Sequence, residues 1–259
     1  MALAFCLVSG AMYFGALPSY AACNTKEQYF ILAENASQIA VERKGTQATI
    51  LMRNRDLDQD CGGSPPGAGS CGFSTPFTVS TAHMRPGLSG IDNTKIIEIG
   101  WAELWTSGDT STQAESKKDW YVFSRKYVDG NCTQARNQIA LNLDPGNTDI
   151  WRISGTDKPN GTTDWDLEVN FQIGAGWVLF ETYNTNWNQA YPMAETERLG
   201  DHTGMMDDQT SLKWLFGGDW ADWGDHRCHT HTDQALNEWD YVRRSTNSFD
   251  VIRQAAGAC

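Results

Sequence analysis

The sequence has few basic residues and no long hydrophobic run beyond its first residues. Its 259 residues include 20 Lys and Arg against 32 Asp and Glu, for a formal net charge of −12 at pH 7. Nucleic acids and anionic membranes are polyanions, so this charge balance disfavours both of them as partners. The sequence also lacks a glycine-rich phosphate loop, a Gly-x-Ser-x-Gly elbow and a His-Glu-x-x-His zinc helix, the common signatures of three enzyme chemistries.

Sustained helical periodicity is absent as well. Only Gln38–Val41 and Gln234–Val242 have helix-like spacing, whereas alternation of apolar and polar residues recurs along the chain. The clearest alternating segments are Trp165–Ile173, which a glycine turn joins to a returning strand at Trp177–Glu181, and Lys95–Trp105. Further candidate strands are Ala48–Arg53, Phe77–Met84, Trp120–Val128, Gln138–Leu143 and Ile150–Ser154.

Many short strands separated by turn residues are typical of an all-β fold. We therefore predict an antiparallel β-sandwich of the jelly-roll or concanavalin-like kind, cross-linked by disulfides and with a minor helical part. Since no linker rich in Ser, Thr or Pro divides the chain, residues 22–259 are expected to form a single domain.

The N-terminus has the pattern of an exported chain, although no basic residue precedes its apolar run. Leu3–Leu17 is nearly all apolar or small, and Ser19–Ala21 has the small-x-Ala form of a signal-peptidase site. We therefore expect residues 1–21 to be a signal peptide and the protein to be secreted and extracellular. A lipid anchor on Cys23 is the alternative, which Tyr20 disfavours because a lipobox has an aliphatic residue at that place.

The cysteine content agrees with export. Six cysteines remain once the leader is removed, and an even number predicts three disulfides in an oxidising compartment. They are Cys23, Cys61, Cys71, Cys132, Cys228 and Cys259. One pairing is predicted, Cys61 with Cys71, because these residues close a Gly/Pro loop, which would contribute about 2–3 kcal/mol in the chain-entropy picture. Free buried thiols are the alternative.

A segment near the C-terminus alternates aromatic and acidic residues around a glycine pair. Its candidate ligand-binding residues are Trp214, Asp219, Trp220, Asp222 and Trp223. Flat rings stack on sugars and carboxylates accept hydrogen bonds from hydroxyl groups, so this segment, the Trp/Asp loop, predicts a glycan-binding or cell-wall-binding site. The alternative is that its tryptophans pack in the core around a tight turn.

Two acidic or histidine-rich segments suggest a divalent metal. His229, His231 and Asp233 alternate, so on a strand they would share one face and could chelate a metal ion. The alternative is a surface loop beside a disulfide-bonded Cys228. Asp56–Asp60 also alternates acids, but it lacks the glycine that follows the third acid of a calcium loop.

Three glutamates are candidates for a catalytic pair. Glu195 and Glu197 are two residues apart, so on a strand they would share one face, with Arg198 beside them. Glu98 alternates with bulky apolar residues in Lys95–Trp105, so its face is either exposed or lines a groove. Paired carboxylates serve hydrolysis, because one activates water while the other protonates the leaving group. An ordinary solvated strand face is the alternative.

Five segments follow one another in an informative order: Phe77–Met84, Ile96–Trp101, Phe171–Phe180, Ala190–Leu199 and Asp201–Met205. This order resembles that of neprosin-type secreted proteins, a family of glutamic endopeptidases. The resemblance implies a β-sandwich glutamic endopeptidase fold. In that family a small-small-Glu motif carries one of two catalytic glutamates, which makes Glu195 the counterpart here and Glu197 the second choice.

The sequence departs from the family pattern in two places. Met193 and Ala194 occupy the Gly-Gly positions, and no counterpart of the second glutamate occurs near Phe77–Ser80. Because the pair is incomplete by sequence, a non-catalytic protein that binds extracellular polysaccharide through the Trp/Asp loop ranks first. A glutamic-peptidase-like hydrolase of peptides, acting at acid pH through Glu195 and a partner such as Glu98, ranks second.

Overall fold

The computed structural model describes ten stretches of the chain. They are residues 29–35, 43–51, 77–86, 95–105, 118–129, 131–139, 146–187, 190–199, 206–233 and 239–253. Within them the backbone forms strands and turns without a helix, and every strand pairing is antiparallel. The predicted all-β antiparallel class is confirmed for this part of the chain.

The described strands are numbered in chain order. They are β1 (Tyr29–Asn35), β2 (Gly45–Leu51), β3 (Phe77–Pro86), β4 (Ile96–Trp105), β5 (Lys118–Val128), β6 (Asn131–Ile139), β7 (Thr148–Asp157), β8 (Thr163–Asn170), β9 (Val178–Thr185), β10 (Ala190–Leu199), β11 (Met206–Phe216), β12 (Asp219–Asp222), β13 (His226–Asp233), β14 (Trp239–Ser245) and β15 (Ser248–Arg253).

The helix predicted at Gln234–Val242 is wrong in the part that the structure describes. The second half of Gln234–Val242 belongs to β14, which pairs with β15. Tyr241 of this strand packs on the core with its ring centre 5.1 Å from that of Phe249. Strand pairing and ring packing therefore override a weak helical spacing. The other segment, Gln38–Val41, lies outside the described residues.

The strands form two sheets in which sequence neighbours are often separated. The first sheet has seven strands in the order β13-β1-β10-β3-β4-β5-β6. The second has eight, in the order β14-β15-β11-β2-β7-β8-β9 with β12 beside β11. The central position of β10 between β1 and β3 brings the Glu195 segment next to strands from the first half of the chain.

The two sheets pack face to face around an apolar core. In β4, Ile97, Ile99 and Trp101 are fully buried, as their alternation predicts. The second sheet contributes Trp151, Ile153, Trp165, Leu167 and Val169, all fully buried, to the same core cluster. Burial of these large side chains is the main favourable term that holds the sheets together.

The predicted alternation of Trp165–Ile173 ends earlier than expected. Strand β8 stops at Asn170, and residues 171–177 form the connection to β9. Ile173 is 54% exposed and has a φ of +30°, next to Gln172 at +52°. A β-branched residue rarely adopts a positive φ, so this connection carries backbone strain.

The first sheet is also buried on the face that points away from the second sheet, which we call its outer face. Glu98 and Ala102 of β4 lie on this face, together with Tyr121, Phe123 and Arg125 of β5, and all five are buried. Charged groups on this face are therefore largely removed from water, which strengthens their mutual electrostatic interactions.

Basic side chains close the sandwich where β9 meets β5 and β6. Arg136 donates to the carbonyl of Phe180, and Lys126 Nζ donates to the carbonyl of Asn184 at 2.7 Å. The Ser124 and Tyr183 hydroxyls share a hydrogen bond of 2.8 Å. These contacts occupy edge carbonyls that would otherwise be available to another strand.

Cys132 on β6 and Cys228 on β13 are both disulfide-bonded. Their strands lie at opposite edges of the first sheet, so the two residues are not bonded to each other. The other cysteines, the predicted Cys61–Cys71 pairing and the predicted leader 1–21 lie outside the described residues. Among the residues that are described, no helix is long and apolar enough to cross a membrane.

Candidate functional site

Glu98 lies on the outer face of the first sheet, within β4. Its register partners are His83 on β3 and Arg125 on β5. The residue is only 7% exposed, and the Tyr127 hydroxyl donates a long hydrogen bond of 3.5 Å to its Oε1 atom. The sequence left open whether this glutamate is exposed. In the structure it is buried, and the cationic residue Arg125 is its neighbour on β5.

Arg125 is the basic partner of Glu98 and is fully buried. Its Nη1 atom donates to the carbonyls of Ser124 at 2.8 Å and Arg136 at 3.3 Å. Burial lowers the pKa of the Arg125 guanidinium, and the nearby Glu98 charge acts in the opposite direction. The two oppositely charged groups are therefore neighbours on the buried outer face.

The strand register brings the predicted glutamates to one face of the sheet. Glu195 is in register with Thr81 of β3, and Thr81 is in register with Gly100 of β4. Gly100 is two residues from Glu98, so the positions of Glu98 and Glu195 share the outer face. Glu197 is two residues further along β10, on the same face.

Strand geometry separates the two candidate partners of Glu98. Two strand spacings and two residue rises place the Cα atoms of Glu98 and Glu195 about 12 Å apart. The same arithmetic with four residue rises gives about 17 Å for Glu197. Of the two positions, Glu195 is therefore the nearer one to Glu98.

The small residue before Glu195 has a packing reason. Ala194 is fully buried in the core, on the opposite face of β10 from Glu195. It is in register with Ala33 of β1 and Ala82 of β3, which makes a row of alanines across three strands. A fully buried position in a close-packed core favours a small side chain at Ala194.

The Trp/Asp loop forms the hairpin of β11 and β12, and its register divides the aromatic residues between two faces. Leu215 is opposite Trp220, and Phe216 is opposite Asp219. Trp214 and Phe216 therefore share one face, while Trp220 lies on the other. Trp220 packs over β2, where a Cβ atom on Gly45 would come within 3.0 Å of its ring. The loop does not present one continuous aromatic platform.

Trp223 belongs to the core rather than to a ligand surface. It is fully buried, and its Nε1 atom donates to the carbonyl of Lys213 at 3.0 Å. Its ring has no surface against which a sugar could stack, so this part of the glycan-site prediction does not fit the structure. Asp219 and Asp222 are exposed, as a binding role would require.

The predicted metal ligands lie on β13, at the edge of the first sheet. Leu32 of β1 pairs with Thr230 and Ala33 with Cys228, so His229 is the extra residue of a β-bulge. A bulge interrupts the simple alternation on which the chelate prediction rests. Within the described residues no group of three potential metal ligands comes together. The side chains of His229, His231 and Asp233 lie outside the described part of the chain, and the metal site stays a prediction.

The sequence analysis did not identify Arg125, the cation beside Glu98. Arg125 follows Tyr121 and Phe123 on the same face of β5, and Tyr127 follows it. A single arginine inside an aromatic stripe is the signal that could have marked a buried charged group. Its partner could not be named from sequence, because that depends on the register of β4 and β5.

No protein-family model matches the sequence, and no curated protein sequence matches it. Its fold is similar to that of a scytalidoglutamic peptidase solved with a peptide-based transition-state analogue. The TM-score is 0.52 and the identity 10%, over 88% of this chain and 98% of that one. At this identity the similarity shows a shared fold alone.

Two further solved structures are more distant. SCP-B, a member of the eqolisin family of peptidases in complex with the tripeptide Ala-Ile-His, has a TM-score of 0.46 and 10% identity over 88% of this chain and 98% of that one. CG-16, a homodimeric agglutinin from chicken liver, has a TM-score of 0.33 and 9% identity over 72% of this chain and 99% of that one.

Proposed function

We propose that the protein is a hydrolase of the glutamic-peptidase type, in which Glu98 and Glu195 cleave a peptide bond at the outer face of the first sheet. The register of β10, β3 and β4 carries this proposal, because it gives the two glutamates a common face. The fold shared with a peptidase solved with a peptide-based analogue agrees with a peptide substrate.

The two glutamates have different roles in this proposal. Glu98 is held beside the Arg125 guanidinium, so it is the charged carboxylate that takes a proton from water. The water oxygen attacks the amide carbonyl carbon. Glu195, protonated at acid pH, then gives its proton to the amide nitrogen as the C–N bond breaks. One charged and one neutral carboxyl group are needed together, which predicts activity at acid pH and its loss as the pH rises.

Gly100 supports the same location for the substrate. This buried residue follows Glu98 by two positions on β4 and is in register with Thr81, the neighbour of Glu195. A glycine inside a strand often marks a place where another backbone approaches closely. Gly100 therefore places no side chain on this face between the two glutamate positions.

Casein digestion between about pH 2 and 7 tests the proposal. Glu98→Gln and Glu195→Gln should each lower kcat/KM by about 100-fold or more, because each removes one partner of the proton transfer. Glu181→Gln on β9, a partly buried glutamate of the other sheet, should leave it unchanged. Absence of cleavage by the wild type at every pH, or full activity in either glutamate variant, would contradict the proposed hydrolase function.

Glycan binding by the β11–β12 hairpin is a second candidate. Phe216 is 47% exposed, Trp220 is partly exposed, and Asp219 and Asp222 are exposed. Rings and carboxylates of this kind can contact sugars even though Trp223 cannot. A glycan array probed with wild type, Phe216→Ala and Trp220→Ala tests this function. No wild-type hit, or hits that both variants retain, would remove it.

We also infer that the protein is secreted after cleavage behind Ala21, on the leader pattern at residues 1–21. N-terminal sequencing of the protein recovered from culture medium should begin at Ala22. A product that remains in the cytosol with an intact leader would overturn this inference.

A further inference from the structure

Arg43 is a buried cation held against aromatic rings, just before β2. The residue is 5% exposed, and its guanidinium carbon lies 3.3 Å from the ring centre of Trp214 and 5.0 Å from that of Phe216. Burial lowers the pKa of this guanidinium, yet an arginine stays charged throughout the physiological range. The stacked rings therefore hold a permanent positive charge in one orientation.

The Arg43 guanidinium has no ionic or hydrogen-bonding partner among the residues that the structure describes. Its contacts are the two aromatic rings. The next residue differs, because Lys44 Nζ is 2.7 Å from Asp157 Oδ1. A buried charge without a counter-charge is costly, and in a chain with twelve more acids than bases it is unexpected. The guanidinium nitrogen atoms of Arg43 are not completely enclosed, so their N–H groups remain accessible.

The backbone around Arg43 is fixed on both sides of the sandwich. The Arg43 carbonyl accepts a hydrogen bond from the Ala190 amide of the first sheet at 3.4 Å. The Lys44 amide donates to the Leu215 carbonyl of the second sheet at 2.9 Å. This anchoring and the ring stacking order the arginine before any ligand arrives, which lowers the entropic cost of binding.

Two further groups share the face of the hairpin that Arg43 contacts. Phe216 is 47% exposed, so part of its ring surface is open beyond the arginine. Asp219 is opposite Phe216 in the β11–β12 register and is exposed. A carboxylate on this face would repel a bare anion, but it accepts hydrogen bonds from hydroxyl groups.

We propose that Arg43, Phe216 and Asp219 form a subsite for a single uronic-acid residue of a glycan. The guanidinium binds the sugar carboxylate through two parallel hydrogen bonds, Phe216 stacks on the sugar ring, and Asp219 accepts from a sugar hydroxyl. The subsite is independent of the hydrolase. It narrows the ligand class of the glycan-binding candidate, and it makes Arg43 its main determinant in place of the tryptophans.

Calorimetric titration of the wild-type chain tests the charge requirement. Trigalacturonate should bind, with an affinity that falls as salt is added, while its methyl ester and maltotriose should bind about tenfold or more weakly. Equal binding of the acid and its ester would overturn the inference, as would no binding of the acid. Equal binding of maltotriose would overturn it too, while leaving glycan binding as such intact.

Variants of the hairpin test the residue assignment. Arg43→Met keeps an apolar stem against Trp214 but removes the charge, so trigalacturonate affinity should fall about tenfold or more. Leu179→Ala, an exposed apolar residue on β9 at the far edge of the same sheet, is the control and should bind as the wild type does. Unchanged affinity in folded Arg43→Met protein would overturn the assignment. If Arg43→Met does not fold, Arg43→Lys replaces it, because lysine keeps the charge and loses the two-pronged contact.

Asp219→Asn distinguishes a sugar acid from a peptide C-terminus. If Asp219 accepts a sugar hydroxyl, the variant should weaken trigalacturonate binding although it removes a repelling charge. Acetyl-phenylalanine, a carboxylate without sugar hydroxyls, should bind the wild type more weakly than trigalacturonate. Tighter binding of acetyl-phenylalanine, or tighter trigalacturonate binding by Asp219→Asn, would overturn the uronic-acid assignment.

Discussion

The outer faces of the two sheets carry the same kind of acid–base pair in very different surroundings. Glu98 and Arg125 are register partners on β4 and β5, and Arg152 and Glu168 are register partners on β7 and β8. The first pair is 7% and 0% exposed. The side chains of the second pair are 22% and 16% exposed.

The second pair is satisfied by its own contacts. Arg152 Nε lies 2.6 Å from Glu168 Oε2 and its Nη2 3.1 Å from Oε1, a two-pronged contact. The Arg152 guanidinium carbon is also 3.6 Å from the ring centre of Trp177. Such a pair is structural. The first pair is buried more deeply and shares its face with Glu195, so the same residue types there can serve chemistry.

Removal of Arg125 should have the largest effect on stability. Arg125→Met leaves the Glu98 carboxylate buried without its neighbouring cation, so the free energy of unfolding should fall by about 3–5 kcal/mol in a urea titration. Adding Glu98→Gln to this variant should restore part of the loss. If Arg125→Met costs no more than a surface substitution, the contrast between the two faces is wrong.

A buried histidine sharpens the comparison, because it has no acid as register partner. His226 is 2% exposed, with Nε2 2.8 Å from the Ser245 carbonyl and Nδ1 bonded to the Tyr241 hydroxyl. This network requires the proton on Nε2. Burial lowers the pKa of His226 from 6.5, with Arg243 acting in the same direction and Asp225 against it.

The sign of the pH effect follows from this shift. The unfolded chain takes up the proton first, so the contribution of His226 is complete above about pH 6.5 and is lost as the pH falls through the lowered pKa. Urea midpoints at pH 8 and at mildly acid pH should therefore differ more for the wild type than for His226→Gln. An equal difference in both proteins would show that His226 does not titrate in this way.

Arg152→Met should lower the free energy of unfolding less than Arg125→Met does, because the Arg152–Glu168 pair is partly exposed. A loss of about 1 kcal/mol or less in the free energy of unfolding is expected. Lys158→Met is its control at the surface, since Lys158 Nζ is 2.6 Å from Asp164 Oδ2 but the lysine side chain is 43% exposed. That variant should not change the urea midpoint measurably. A loss at Arg152 equal to that at Arg125 would remove the distinction between the faces.

The candidate site was only partly predictable from sequence. Glu98 and Glu195 were identified from alternation and from the small-small-Glu resemblance, whereas Arg125 and Arg43 were not. Trp223 was assigned to a ligand surface, but it is in the core. Composition distinguishes aromatic from acidic residues, but it does not tell which face of a hairpin each residue takes. That depends on the register between β11 and β12.

The sequence alone determined several strand segments and their inward faces, such as those of β4 and β8, because alternation of apolar residues is a local property of the chain. Tertiary structure decided which strands are neighbours, and therefore which charges meet. The register of β10 against β3, and of β3 against β4, places Glu195 and Glu98 on the same face although they are far apart in sequence. Such pairings are set by packing of the whole core, since no local pattern specifies the partner of a strand.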